Sequence, residues 1–336
     1  MALVKEIGTA IGQRDLITKL KDFIAARTNW SNKEFTDGGI GGRASDIQFT
    51  IQQGASPLMY YSLITDVTNS RPRMQFAAHS SFNATTIYHS HTGGYGSSRY
   101  EAISIARTSD DVGGQPAKTF NYWFYCDDLD DGYLIVVVEV GQGEGWFQHF
   151  FMGKLATYPG VSNGYYSHGT IGPALATDDR GNYNYASTDH AMGAIHGLRF
   201  GGALLESGQL LDHVGTWRKV GSQTMEDFND RAYATFCLNS NGVICEFNMH
   251  APNWDANAAS ISAPLMPSHM YVKKNGVTGK FAPMGRIPGV WHVCTESIAE
   301  AKLLTLGTND YRIFPAIGSR RISRNGRYGG IAVHEP

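Results

Sequence analysis

The chain has 336 residues and a formal net charge of −2 at pH 7, which leaves no global field to draw it onto nucleic acid or anionic lipid. Charged residues are only 17% of the total, while glycine supplies 39 residues and aromatics 12%, against roughly 25% charge in ordinary soluble proteins. Such a chain has ample material for a core and little charge for its outside, so either other subunits cover much of its surface or it is a glycine-rich β protein with many turns.

The first helix is expected over residues 14–27. Leu16, Ile17, Leu20, Phe23 and Ile24 form one apolar stripe, with Arg14, Lys19, Lys21 and Asp22 on the other side. The polar, glycine-rich residues 29–42 stop it. From residue 44 the period changes to two, Ile47, Phe49 and Ile51 alternating with Gln48, Thr50 and Gln52, and after a turn at 53–57 a second strand is expected over 58–67. Residues 69–118 carry two short strand candidates, 74–79 and 103–107.

The stretch 132–159 organises the rest. It holds the longest apolar run, residues 134–138, then a glycine break at 141–145 and a second apolar run at 146–152. Two β-favouring runs around a glycine turn predict an antiparallel hairpin. Because Val136, Val137 and Val138 are consecutive, both faces of the first strand must meet apolar neighbours. With residues 120–126, joined by the acidic turn 127–132, a three-stranded meander is expected. Residues 156–230 show little periodicity and are too long for a plain loop, which predicts an irregular inserted lobe. Further on, a hairpin is expected at 233–248, then strand at 290–294, a short helix or turn near 297–304, strand at 311–314 and a closing strand at 330–333.

The predicted fold is α+β and mainly β: an antiparallel sheet or sandwich with one N-terminal amphipathic helix and an irregular lobe. Its expected divisions are 1–155 as a core sheet domain, 156–230 as the lobe, and 231–336 as a second β region whose last strand closes on the core. No run reaches the roughly 18 apolar residues of a membrane helix, and the N-terminal residues lack the apolar core of a secretory signal. Cys126, Cys237, Cys245 and Cys294 therefore read as buried thiols of a protein made in a reducing cytosol. A Cys237–Cys245 bond across the turn at 239–242 is the alternative.

Candidate chemistry is sparse. Gly141-x-Gly143-x-Gly145 has neither the spacing nor the following helix of a dinucleotide loop and reads as a turn. Asp127, Asp128, Asp130 and Asp131 can be imagined around calcium, but the EF-hand spacing is missing, and a solvated or paired hairpin tip is the better reading. His89 and His91 would share one face of a strand, with His79 or the pair His190 and His196 as further ligands. Nothing in the spacing selects a third ligand, so no metal is assigned. There is no GxSxG elbow and no SxxK, and no catalytic residue or cofactor is assigned. Arg312, Arg320, Arg321, Arg324 and Arg327 read as partners for carboxylates at a contact. Tyr165, Tyr166, Tyr183, Tyr185 and Trp217 sit among Gly, Ser and Asn, a mixture that suits an interface better than a core.

Three segments carry a family resemblance. They are GTAIGQRDLITKLKDFIA at 8–25, DGYLIVVVEVGQGEGWFQHFFMGKLATYPG at 131–160, and YRIFPAIGSRRISRNGRYGGIAVHEP at 311–336. They resemble the opening helix, the valine-rich strand with its glycine break, and the R-x-F-P segment with a closing G-I-A strand of structural proteins from tailed bacteriophages and prophages of Gram-negative bacteria. Together they span under a quarter of the chain. The resemblance implies a non-enzymatic virion protein of tail or baseplate, made in the host cytoplasm, whose partners are other virion proteins and copies of itself. A virion enzyme that degrades cell wall or surface polysaccharide, and a host-surface binding module, are the alternatives.

Overall fold

The computed structural model describes residues 3–37, 47–54, 59–66, 73–79, 82, 101–103, 119–129, 131–139, 147–161, 166–170, 208–211, 217–220, 231–234, 265–273, 281–294, 301–315 and 329–336. Among them the fold is mainly β, built from antiparallel sheets with a single helix.

The helix α1 spans Gly12–Ala25, and Leu16, Ile17, Leu20, Phe23 and Ile24 are all buried, as the apolar stripe requires. Ile11 offers no side-chain cap, but its own backbone N–H donates to the Asp15 carboxylate of the first turn at 2.9 Å.

Two strands flank α1 where a strand was not expected. The first, β1 (Leu3–Ile11), precedes it, and β2 (Trp30–Asp37) follows it. Strand β1 lies at a sheet end and only Ala10 is fully buried, so its hydrophobic alternation is too weak to read. In β2 the register slips between Asn32 and Glu34. That bulge lets Trp30 and Phe35, five positions apart, both pack on the core, where an unbroken pleat would send them to opposite faces.

The expected meander is present. Strands β7 (Thr119–Asp127), β8 (Tyr133–Glu139) and β9 (Phe147–Lys154) pair antiparallel in that order, and β1 pairs with β7 on the outside. Every residue of β8 is buried, because the meander is a middle layer. One face presents Phe120, Tyr122, Phe124, Leu134, Val136 and Val138 to α1 and to a second sheet. That sheet runs β2, β3 (Ile47–Gln53), β4 (Met59–Asp66), β5 (Arg73–His79), β6 (Glu101–Ile103).

The opposite face presents Trp123, Tyr125, Ile135, Val137 and Phe151 to Ile287, Val290, Phe314, Ile331 and Val333. These belong to β16 (Phe281–Cys294), β18 (Asn309–Pro315) and β19 (Gly329–Glu335). The closing strand β19 lies between β16 and β18. The helix near one end of the chain and the strand near the other therefore cover the two faces of one meander.

Residues 297–304 were expected as a helix or turn. Instead β17 occupies Lys302–Leu306 and forms a hairpin with β18 through Gly307 and Thr308, with Gly307 at φ 65°. The two-residue turn with a left-handed glycine sets the register, which overrides the helical preference of three leucines.

The lobe at 156–230 also departs from expectation where it is described. It contributes β10 (Ala156–Thr157), β11 (Tyr166–Thr170), β12 (Gly208–Leu211) and β13 (Trp217–Val220). Strand β11 pairs with β9, so this part of the chain continues the meander's sheet. Strands of two to five residues are too short to show a period. The sheet then passes through β14 (Arg231–Ala234) and β15 (Met266–Lys273) to β16, giving fourteen strands in all. The 241–242 turn of the predicted hairpin lies outside the described residues.

Candidate interaction sites

Among the described residues a buried polar network centres on Glu335, the last residue of β19, only 4% exposed. Four donors reach its carboxylate: Lys5 Nζ of β1 at 2.9 Å, Tyr125 OH of β7 at 2.9 Å, and Arg312 Nε and Nη2 of β18 at 2.5 and 3.2 Å. Arg312 also donates through Nη1 to the Ala301 carbonyl at 3.2 Å. Burial alone would raise the Glu335 pKa, but hydrogen bonds from Arg312, Lys5 and Tyr125 outweigh it and hold the carboxyl below its ordinary value. Burial also pushes the Tyr125 phenol far up, and the Glu335 charge adds to that shift. A carboxylate saturated by two cations and a phenol has no proton to give and no free lone pair to take one. Its role is to tie β1, β7, β18 and β19 together.

The acidic turn is a second polar cluster, and two of its carboxylates, Asp128 and Asp131, are paired. Asp128 accepts the backbone N–H of Thr28 at 2.8 Å and of Asn29 at 2.8 Å, and the Asn29 side chain donates back to the Asp128 carbonyl at 2.8 Å. This fastens the β7–β8 turn to the link between α1 and β2. Asp131 pairs with Lys154 of β9 at 2.8 Å. Asp127 is buried, and its Oδ1 has no hydrogen-bond partner. Burial raises its pKa, with the neighbouring charges of Asp131 and Asp128 adding to the shift. Asp128 and Asp131 are thus turned to other partners, and no group of three or more metal-ligating side chains occurs among the described residues.

The chain matches no known family model and no curated protein.

Of the residues singled out from sequence, Tyr165, Tyr183, Tyr185, Arg320, Arg321, Arg324 and Arg327 lie outside the described residues, as do Asp130, His89, His91, His190, His196, Cys237 and Cys245. Tyr166 opens β11 and Trp217 opens β13. Arg312 was expected to meet a carboxylate across a subunit contact. Its carboxylate is Glu335 of the same chain, reached diagonally across the β18–β19 pair, in which Arg312 opposes Val333 and Glu335 opposes Asp310. Cys126 is a buried free thiol whose pKa burial drives upward. Sequence reasoning missed Glu335, Lys5 and Tyr125. Lys5 and Glu335 are 330 positions apart, and no local pattern could have joined them.

Proposed function

We propose that this protein is a structural component of a bacteriophage particle, of the tail or baseplate, which works by being held among other virion proteins and copies of itself. One observation carries the reading. The three segments that resemble phage structural proteins all reach the core: α1, β8 with β9, and β18 with β19 contribute to the two apolar clusters on either side of the meander, together with residues of β2, β3, β4, β7 and β16. Each of the three segments thus supplies buried residues to the fold's interior. Low charge and high aromatic content suit a protein whose outside is shared with neighbours.

Particles purified from the producing bacterium supply the test. Mass spectrometry of those particles should detect this chain, and a map of them should hold it at repeated, contacting positions. Its restriction to the soluble host lysate would overturn the proposal. Release of sugar or peptide from cell-wall material by the purified protein would favour the enzyme reading instead.

A further inference from the structure

Four of the five exposed large aliphatic side chains among the described residues lie on two strands, Ile7 (48%) and Ile11 (62%) on β1 and Leu303 (43%) and Leu306 (44%) on β17, the fifth being Leu129 of the β7–β8 turn. These strands are the two ends of the fourteen-stranded sheet. β1 pairs with β7 on one side and β17 with β18 on one side, and among the described residues no strand lies against their other sides. Each therefore presents a row of backbone N–H and C=O groups beside exposed aliphatic side chains. Folded proteins usually blunt such edges with charge, proline or extreme shortness. Residues 7–11 of β1, Ile-Gly-Thr-Ala-Ile, carry neither charge nor proline. An edge of this kind takes an extended strand as its partner.

We propose that β1 of one molecule pairs with β17 of a second copy of this chain, continuing the sheet from one copy to the next. The side chains fit one register. With Ile7 beside Leu303 in a parallel alignment, Glu6 falls beside Lys302 and Thr9 beside Thr305. The aliphatic pair and the Thr–Thr pair then share one face, and the opposite-charge pair lies beside them on the other. Lys302 and Thr9 are exposed; Glu6 is half-buried and its Oε1 accepts from Tyr122 OH at 2.8 Å, which leaves Oε2 for Lys302, and the exposed Thr305 donates to Asp310 at 2.6 Å but keeps its lone pairs for Thr9. The antiparallel alignment about the same centre sets Lys5 beside Thr305 and Gly8 beside Lys302, and matches no charge. A second copy brings both complementary edges. A contact between two different edges of identical chains closes into a ring or grows into a fibre.

The proposal takes its partner from the assembly reading above, yet its test is separate, because it uses the purified full chain away from any particle. Two variants of different tag length, Ile7→Cys and Leu303→Cys, are mixed at high concentration and oxidised, with the unsubstituted protein setting the background from native cysteines. Adjacent strands bring Cα atoms within the roughly 4.4–6.8 Å that a disulfide spans. A mixed dimer, formed in the mixture and by neither variant alone, is the expected result. Cross-linking of Ile7→Cys to itself, or oligomers by light scattering without any mixed dimer, would overturn it, and so would a monomer at every concentration. As a second readout, Lys302→Glu should weaken self-association several-fold and Glu6→Lys in the same chain should restore it. Failure of that rescue with folded double variant would reject the register. Finding this chain in particles bears on the proposed function alone.

Discussion

Two buried carboxylates are driven in opposite directions by their surroundings. Glu335 has its pKa lowered by its donors, so its contribution to stability is present above the unfolded value of about 4.3 and is lost as pH falls through the lower folded value. Replacing it by Gln leaves Lys5 and Arg312 without their counter-charge, and a loss of about 3–5 kcal/mol is expected from denaturant melts at neutral pH. Asp127 has its pKa raised by burial. Its contribution is present below the unfolded value of about 3.9 and is lost as pH rises through the folded value. Asp127→Asn should therefore raise the melting temperature at pH 7, and this gain should vanish below pH 3. A gain that is equal at both pH values would show that Asp127 is not destabilised by its charge.

At the scale of elements, the meander depends on close contacts at its margins. Gly153 has φ 140°, and a Cβ there would sit 2.6 Å from the Gly132 carbonyl oxygen and from Tyr133 Cα. The Gly132 carbonyl has its own bonds, accepting from the Lys154 backbone N–H and from Gln53 Nε2, so it is not free to move aside. Gly153→Ala should cost about 1–3 kcal/mol or more, measured as a shifted urea midpoint at unchanged slope. Leu20 of α1 is 3% exposed in the cluster that covers the meander. Leu20→Ala should lose about 2–5 kcal/mol, and a loss under ~1 kcal/mol would mean that α1 is not packed on β7 and β8.

For the whole molecule, the decisive contacts are long-range. Strand β19 supplies Ile331 and Val333 to the core, pairs with both β16 and β18, and ends in Glu335. Deleting residues 329–336 would expose the face of the meander that carries Trp123 and Tyr125 and would strand Lys5 and Arg312. The truncated chain should be recovered insoluble, or should bind a hydrophobic dye strongly without a cooperative melt. A soluble, cooperatively melting truncation would show that the outer layer stands without its central strand. Sheets closed by such distant pairings also fold slowly, since the loops must close before the contacts form.

The residues alone specify the helix, the meander and the burial of β8 on both faces. A five-residue apolar stripe at helical spacing specifies a helix, and a short valine run bounded by glycines specifies a strand once its length and β-branched content are weighed. The sequence also places the closing strand, whose Ile331, Ala332 and Val333 are buried. The rest waited on tertiary structure. Strand β2 was hidden by a bulge that breaks the period of two, and β17 by leucines whose spacing suits a helix as well as a hairpin. The polar network was hidden by distance along the chain. Arg312 could be recognised as a cation seeking a carboxylate, but which carboxylate it finds depends on the register of β18 against β19, and that register exists only once the sheet has formed.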